Sequence, residues 1–280
     1  MEIKDIVVHI DSSERTAERI QLATKLAAEK DAHVTGVFAI PDPYTPALMA
    51  GGYVPADIFD QFREEALEDS EKAKKLFEKI TEAGGVHGEW RVEQGTASAV
   101  VARHARYSDL ALVGKGDYDD PEKYPHPELP ADLMMTSGRP VLVVPNAGHF
   151  ETLGARVLVC WNASREATRA VNDAMPFLQS AEKVTVLAVN PHKASGGDHG
   201  DTPSADISLH LARHGVNAEA ASTVAAGIDI ADTILARASD LGVDMIVSGA
   251  YGHSRTREWV FGGVTESLLR HTTVPTLLSH

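Results

Sequence analysis

At 280 residues, with 43% apolar and 24% charged content, the chain is long enough for one large domain or two modest ones and has the make-up of an ordinary soluble protein. Its formal net charge of −14 argues against a general nucleic-acid or membrane-surface binder, which needs clustered Lys and Arg to neutralise phosphates. One cysteine excludes a disulfide framework, and with no apolar leader after Met1 and no run near the roughly 20 apolar residues of a membrane span, the expected setting is the cytoplasm.

The first predicted strand, Asp5–Ile10, ends at Asp11-Ser12-Ser13-Glu14, where either serine can cap the helix that follows. That helix keeps Ile20, Ala23, Leu26 and Ala27 on one side. A second strand, His33–Ile40, stops at Pro41, and a loop with Pro43, Pro46, Gly51-Gly52 and Pro55 leads to a long helix. Its Ile58, Phe62, Ala66, Ala73, Leu76 and Ile80 recur at three- and four-residue steps. A third strand near Gly88–Val92, a helix over Ala97–Arg106, a fourth strand Leu110–Val113 and a fifth, Val141–Val144, complete this half. Strands alternating with helices imply a parallel sheet covered on both faces.

The second half repeats that order. Arg156–Trp161 with Asn162-Ala163-Ser164-Arg165 echoes the first strand and its cap; Cys160 in this run is expected to be a buried small hydrophobe. Lys183–Val189 echoes the strand ending at Pro41, Asp244–Gly249 echoes Asp109–Gly114, and Val274–Leu278 echoes Val141–Val144. Matching positions lie 151 apart at the start (Asp11 to Asn162) and 135 apart at the end (Gly114 to Gly249), the difference falling in the first half's proline-rich loop and longer helix. A fixed-order repeat of this size predicts a duplicated domain, residues 1–147 and 153–280, joined by a linker at about Asn146–Gly154. The two apolar fifth strands are expected at sheet edges, where unpaired backbone groups invite pairing.

Between Met245–Ser248 and the helix-like Val264–His271 stands GAYGHSRTREWVFGGVT, residues 249–265. Gly249 and Gly252 are expected to turn the backbone with φ > 0, and Gly262-Gly263 to deliver it to a helix N-terminus. The free N–H groups and dipole there, with Arg255 and Arg257, suit a phosphate; a glycine-rich turn that binds nothing is the alternative that spacing leaves open. The spacing Gly249-x2-Gly252-x9-Gly262, followed by Gly263-Val264-Thr265-Glu266, resembles the nucleotide-binding signature G-x2-G-x9-G-[S/T] of universal stress proteins. With the repeat, the whole chain is similar to a tandem, two-domain member of that family.

The resemblance implies α/β architecture: two tandem open parallel-sheet domains, five-stranded and Rossmann-like, of the adenine nucleotide alpha hydrolase type, with ligands outside the carboxyl ends of the strands. It implies a stress-response protein that holds ATP, ADP or AMP, with Mg²⁺ as an optional companion, in the second half. The residues it points to are Asn162, Val189, Gly249, Gly252, His253, Arg255, Gly262, Gly263, Val264 and Thr265. Asn162 stands where the family's binders have an Asp near the adenosine, the Val189 backbone matches the position beside the adenine ring, and Gly263 replaces a Ser or Thr hydroxyl. The role would be regulatory or protective, with the halves forming an intrachain pseudo-dimer in which Val141–Val144 and Val274–Leu278 pair with each other, and to which a second chain can add.

The first half departs from the signature: after Gly114-Lys115-Gly116 comes Asp117-Tyr118-Asp119-Asp120-Pro121-Glu122, whose carboxylates repel a polyphosphate and whose proline removes a donor. Acids outnumber bases 26 to 16 over residues 1–150 and 14 to 10 over 151–280. His210 and His214 lie one helical turn apart, but no third metal ligand is evident. Ser195-Gly196-Gly197-Asp198 follows the wrong strand for a phosphate loop and reads as a surface loop. No motif nominates a catalytic nucleophile or base, so the alternatives to a binding module are a nucleotide-free scaffold and a slow ATP hydrolase at the same loop, using His253 or Glu258.

Overall fold

The computed structural model describes residues 2–41, 56–117, 119–120, 123, 125–191, 203–251 and 263–280. The chain forms two compact units, Ile3–Arg139 and, together with Met1–Glu2, Pro140–His280.

In Ile3–Arg139, strands β1 (Asp5–Ile10), β2 (His33–Ile40), β3 (Gly88–Gln94) and β4 (Leu110–Gly114) alternate with helices α1 (Thr16–Lys30), α2 (Ala56–Ala83) and α3 (Ala97–Ala105), and α4 (Leu129–Thr136) follows. The strands lie in the order β3-β2-β1-β4, all parallel. Strands β1 and β4 read as unbroken apolar runs because both of their faces are covered: Ile6, Val7, Val8, Leu110, Ala111, Leu112 and Val113 are 0–1% exposed. Edge strand β3 is largely exposed and is held by its ladder to β2.

In Pro140–His280, the strands are β5 (Val141–Val144), β6 (Arg156–Cys160), β7 (Lys183–Val189), β8 (Ala218–Thr223), β9 (Met245–Gly249) and β10 (Thr276–Ser279). Helices α5 (Arg165–Leu178), α6 (Pro203–Arg213), α7 (Ile230–Leu241) and α8 (Gly263–His271) connect them. The order is β5-β10-β9-β6-β7-β8, parallel except that β5 runs antiparallel to β10, with Leu142 opposite Leu277. The two strands expected to pair with each other therefore do so. Helix α4 and edge strand β8 had no clear signal in the sequence.

The same local device recurs in both units. Asp109 Oδ2 accepts the N–H groups of Lys4 and Asp5 at 2.8 and 3.1 Å, and Asp244 accepts those of Ala155 and Arg156 at 3.1 and 2.9 Å. Each carboxylate closes the N-terminal end of a central strand, β1 or β6, by satisfying donors that no neighbouring strand reaches. Leu158, Leu187, Ala231, Ile234, Ala238, Ile246 and Leu268 form a buried cluster that seats α7 and α8 against β6, β7 and β9. Among the described residues no helix is long and apolar enough to cross a membrane.

Candidate nucleotide-binding site

Strands β9, β6 and β7 are neighbours, and just past each lies a non-glycine residue in the left-handed region: Tyr251 (φ 61°), Ala163 (φ 56°) and Asn190 (φ 51°). Asn tolerates that region, whereas for Ala and Tyr it costs on the order of 1 kcal/mol or more, a type of strain that gathers at functional sites. These bends flank a pocket of about 490 Å³ whose wall joins apolar Trp161, Leu187, Val189, Ile230 and Ile234 to polar Asn162, Ser164, Glu166, Asn190, Ser248 and Thr265.

Six of the ten candidate residues line this pocket: Asn162, Val189, Gly249, Gly263, Val264 and Thr265. Gly252, His253, Arg255 and Gly262 lie outside the described residues.

Asn162 Oδ1 accepts the Ser164 N–H at 3.1 Å, and Ser164 Oγ caps α5 by accepting from Ala167 N at 3.1 Å. With its carbonyl so engaged, Asn162 offers a ligand its amide donors, where an Asp would offer acceptors. Asn190 is tied in the same manner, Oδ1 accepting from Ala225 N at 2.9 Å.

The expectation that Gly249 turns the backbone with positive φ is corrected: it is absent from the left-handed region. Its lack of a Cβ serves close approach instead, since an added Cβ would stand 2.5 Å from both the Glu166 carbonyl carbon and the Ala167 nitrogen. The end of β9 thus lies directly on the first turn of α5. Gly263, the first residue of α8, also lies outside the left-handed region, and no heavy atom of the described residues stands within 4 Å of where its Cβ would go. Thr265 is buried, and its Oγ1 accepts the Tyr251 N–H at 3.3 Å, clasping the exit of β9 to the first turn of α8.

Cys160, expected as a buried small hydrophobe, is partly buried: it packs against the core cluster and also forms part of the pocket wall. Burial pushes its thiol up to about 12, against a smaller downward pull from the Ser248 hydroxyl, so no thiolate forms near neutrality. Trp161, Glu166, Asn190 and Tyr251 line the pocket without having been singled out in the sequence; the signal available for Glu166 was its place in the first turn behind the Ser164 cap.

In Ile3–Arg139 the corresponding strand ends are filled from within. Asp11, the counterpart of Asn162, accepts from Ser13 N (3.0 Å), Ser13 Oγ (2.5 Å), Thr16 Oγ1 (2.6 Å) and Arg19 Nη2 (2.5 Å), while Arg19 Nε donates to the His9 carbonyl at 3.1 Å. The guanidinium lies where a Cβ on Gly114 would go. Burial works to raise the Asp11 pKa, but Arg19, His9, Ser13 and Thr16 outweigh it and hold the carboxyl well below the usual range. His9 beside it is lowered to about 3, first by burial and further by Arg19 and His126, with Asp11 opposing. His126 meets the His9 ring edge-on, centroids 5.5 Å apart.

The rings of His210, on α6, and His214, in the turn just after it, lie 4.7 Å apart, and among the described residues no group of three or more His, Cys, Asp or Glu could hold a metal ion. The Ser195–Asp198 loop lies outside the described residues.

Residues 155–280 match the sequence model of the universal stress protein family. A universal stress protein from Archaeoglobus fulgidus DSM 4304 superposes with a TM-score of 0.78 at 16% identity, covering 99% of this chain and 96% of its own. A functionally unknown protein from Pseudomonas aeruginosa PAO1 does so at 0.59 and 15%, covering 99% and 92%. Both likenesses are of fold. A universal stress protein in complex with cAMP aligns with 52% of this chain and 100% of its own at a TM-score of 0.40 and 18% identity. No curated protein matches the sequence.

Proposed function

Because residues 155–280 carry a universal stress protein domain, we propose that the pocket at the ends of β6, β7 and β9 holds an adenine nucleotide, ATP, ADP or AMP, and that this occupancy serves a regulatory or protective role in stress. The observation that carries the reading is convergence: Asn162, Val189, Gly249 and Gly263–Thr265, far apart in the chain, meet around one cavity. Its apolar wall suits a purine, and the first N–H groups of α8 suit a phosphate. Binding is confined to the second half, because the first fills its strand ends with Arg19 and Asp11.

Mass spectrometry of ligand released from the purified full chain, followed by calorimetry with ATP, ADP and AMP, tests the reading. The expected result is one nucleotide per chain. Replacing Gly252 by Val should abolish binding, since a branched side chain would crowd the loop; unaltered affinity in that variant would move the site elsewhere.

A further inference from the structure

We propose that Glu166 makes the pocket select a nucleoside monophosphate over a triphosphate, so that its ligand is the form with little phosphate charge. The inference rests on the pocket's being an adenine-nucleotide site and names which member of that class it takes.

Glu166 lies in the first turn of α5, is 8% exposed and lines the pocket. Gly249 sits against its main chain, at the distances given by the missing Cβ, so the first turn of α5 adjoins the end of β9, and Glu166 lines the cavity together with Gly249 and Gly263. Burial works to raise the pKa of Glu166, but its own backbone N–H, Arg165 and His280 outweigh it and keep the group ionised at neutral pH. The neutralising partner, Arg165, reaches Oε1 with Nε and Nη2, both at 3.1 Å, but its side chain is 74% exposed, so water screens much of its effect. A phosphate chain growing into this end meets a fixed negative charge in partly desolvated surroundings, where repulsion is far stronger than in bulk water. The 5′-monophosphate keeps the donors of α8 and has the least charge to place.

Calorimetry of the full chain with AMP and with ATP, both without divalent cation, tests this. The parent should bind AMP at least about tenfold more tightly than ATP, the scale of one partly screened like-charge contact. Glu166→Gln should bring the two within about threefold, and Arg165→Ala, which removes only an exposed side chain, should widen the gap. ATP binding as tight as AMP in the parent, or an unchanged ratio in both variants, overturns the proposal. Should Glu166→Gln melt early, Arg165→Ala decides alone. A parent that binds AMP with a ratio insensitive to residue 166 leaves the adenine reading standing and removes this one; a parent that binds neither nucleotide removes both.

Discussion

Restoring a hydroxyl at position 263 is the sharpest perturbation of the pocket. Gly263 opens α8, lies outside the left-handed region, and an added Cβ would have no heavy atom of the described residues within 4 Å. Gly263→Ser therefore meets no described neighbour and has two separable effects. As a better helix former than glycine, serine should raise stability by roughly 0.5 kcal/mol. A hydrogen bond from its Oγ to an ionised phosphate contributes about 1.5–3 kcal/mol where water is excluded. Gly263 is exposed, so the lower end applies and the dissociation constant for AMP should fall about tenfold. Gly263→Ala is the control, giving the helical gain without the hydroxyl. Calorimetry and thermal melting on the three chains separate the effects. Equal tightening by Ala and Ser, or tightening by neither, refutes the view that phosphate is held at the start of α8.

Gly249→Ala should destabilise Pro140–His280 by about 1–3 kcal/mol, because the new methyl meets the α5 backbone, which cannot move aside as a side chain can; denaturant titration reads this, and a neutral substitution would contradict the close approach. Arg19→Leu strands the buried Asp11 carboxylate and should cost about 3–5 kcal/mol, with part of the loss recovered in the Arg19→Leu, Asp11→Asn double variant; no recovery would place the energy in packing instead. His9, neutral when folded, has its pKa lowered from 6.5 to about 3, so the unfolded chain binds the extra proton and stability should fall as pH drops below about 6.5, by up to about 1.4 kcal/mol per pH unit toward pH 3. Melting temperatures across that window should flatten in His9→Gln, and an unaltered slope would exclude His9 as the source.

Where burial writes itself into composition, the sequence was readable. Strands β1, β2, β5 and β7 fall at the residues their apolar runs mark, and β9 starts at Met245, one residue after the expected Asp244, whose side chain closes β6. Edge strand β8, reading AEAAST with mostly outward side chains, is held by its ladder to β7, which leaves no hydrophobic trace. Helix α4 is short and opens with Pro130 among turn residues, so its periodicity never develops. At the site, the glycine spacing pointed to the right strand end but not to why glycine is needed there: Gly249 answers to the α5 backbone, a contact between segments far apart in the chain. Likewise the Thr265 hydroxyl could be proposed as a ligand from sequence, but only folding showed it bonded to Tyr251.

The arginine lodged beside Gly114 bears on how the protein would report a changing nucleotide pool. Two equivalent sites in one chain could communicate and sharpen a response into a threshold; if, as proposed, nucleotide binds only in the second half, the chain has no second site to recruit. Its occupancy would rise as a simple hyperbola, spreading the transition over nearly two decades of concentration. Such a molecule is a dial and not a switch, and any steeper behaviour in a cell would have to come from what the chain meets, not from the duplication it contains.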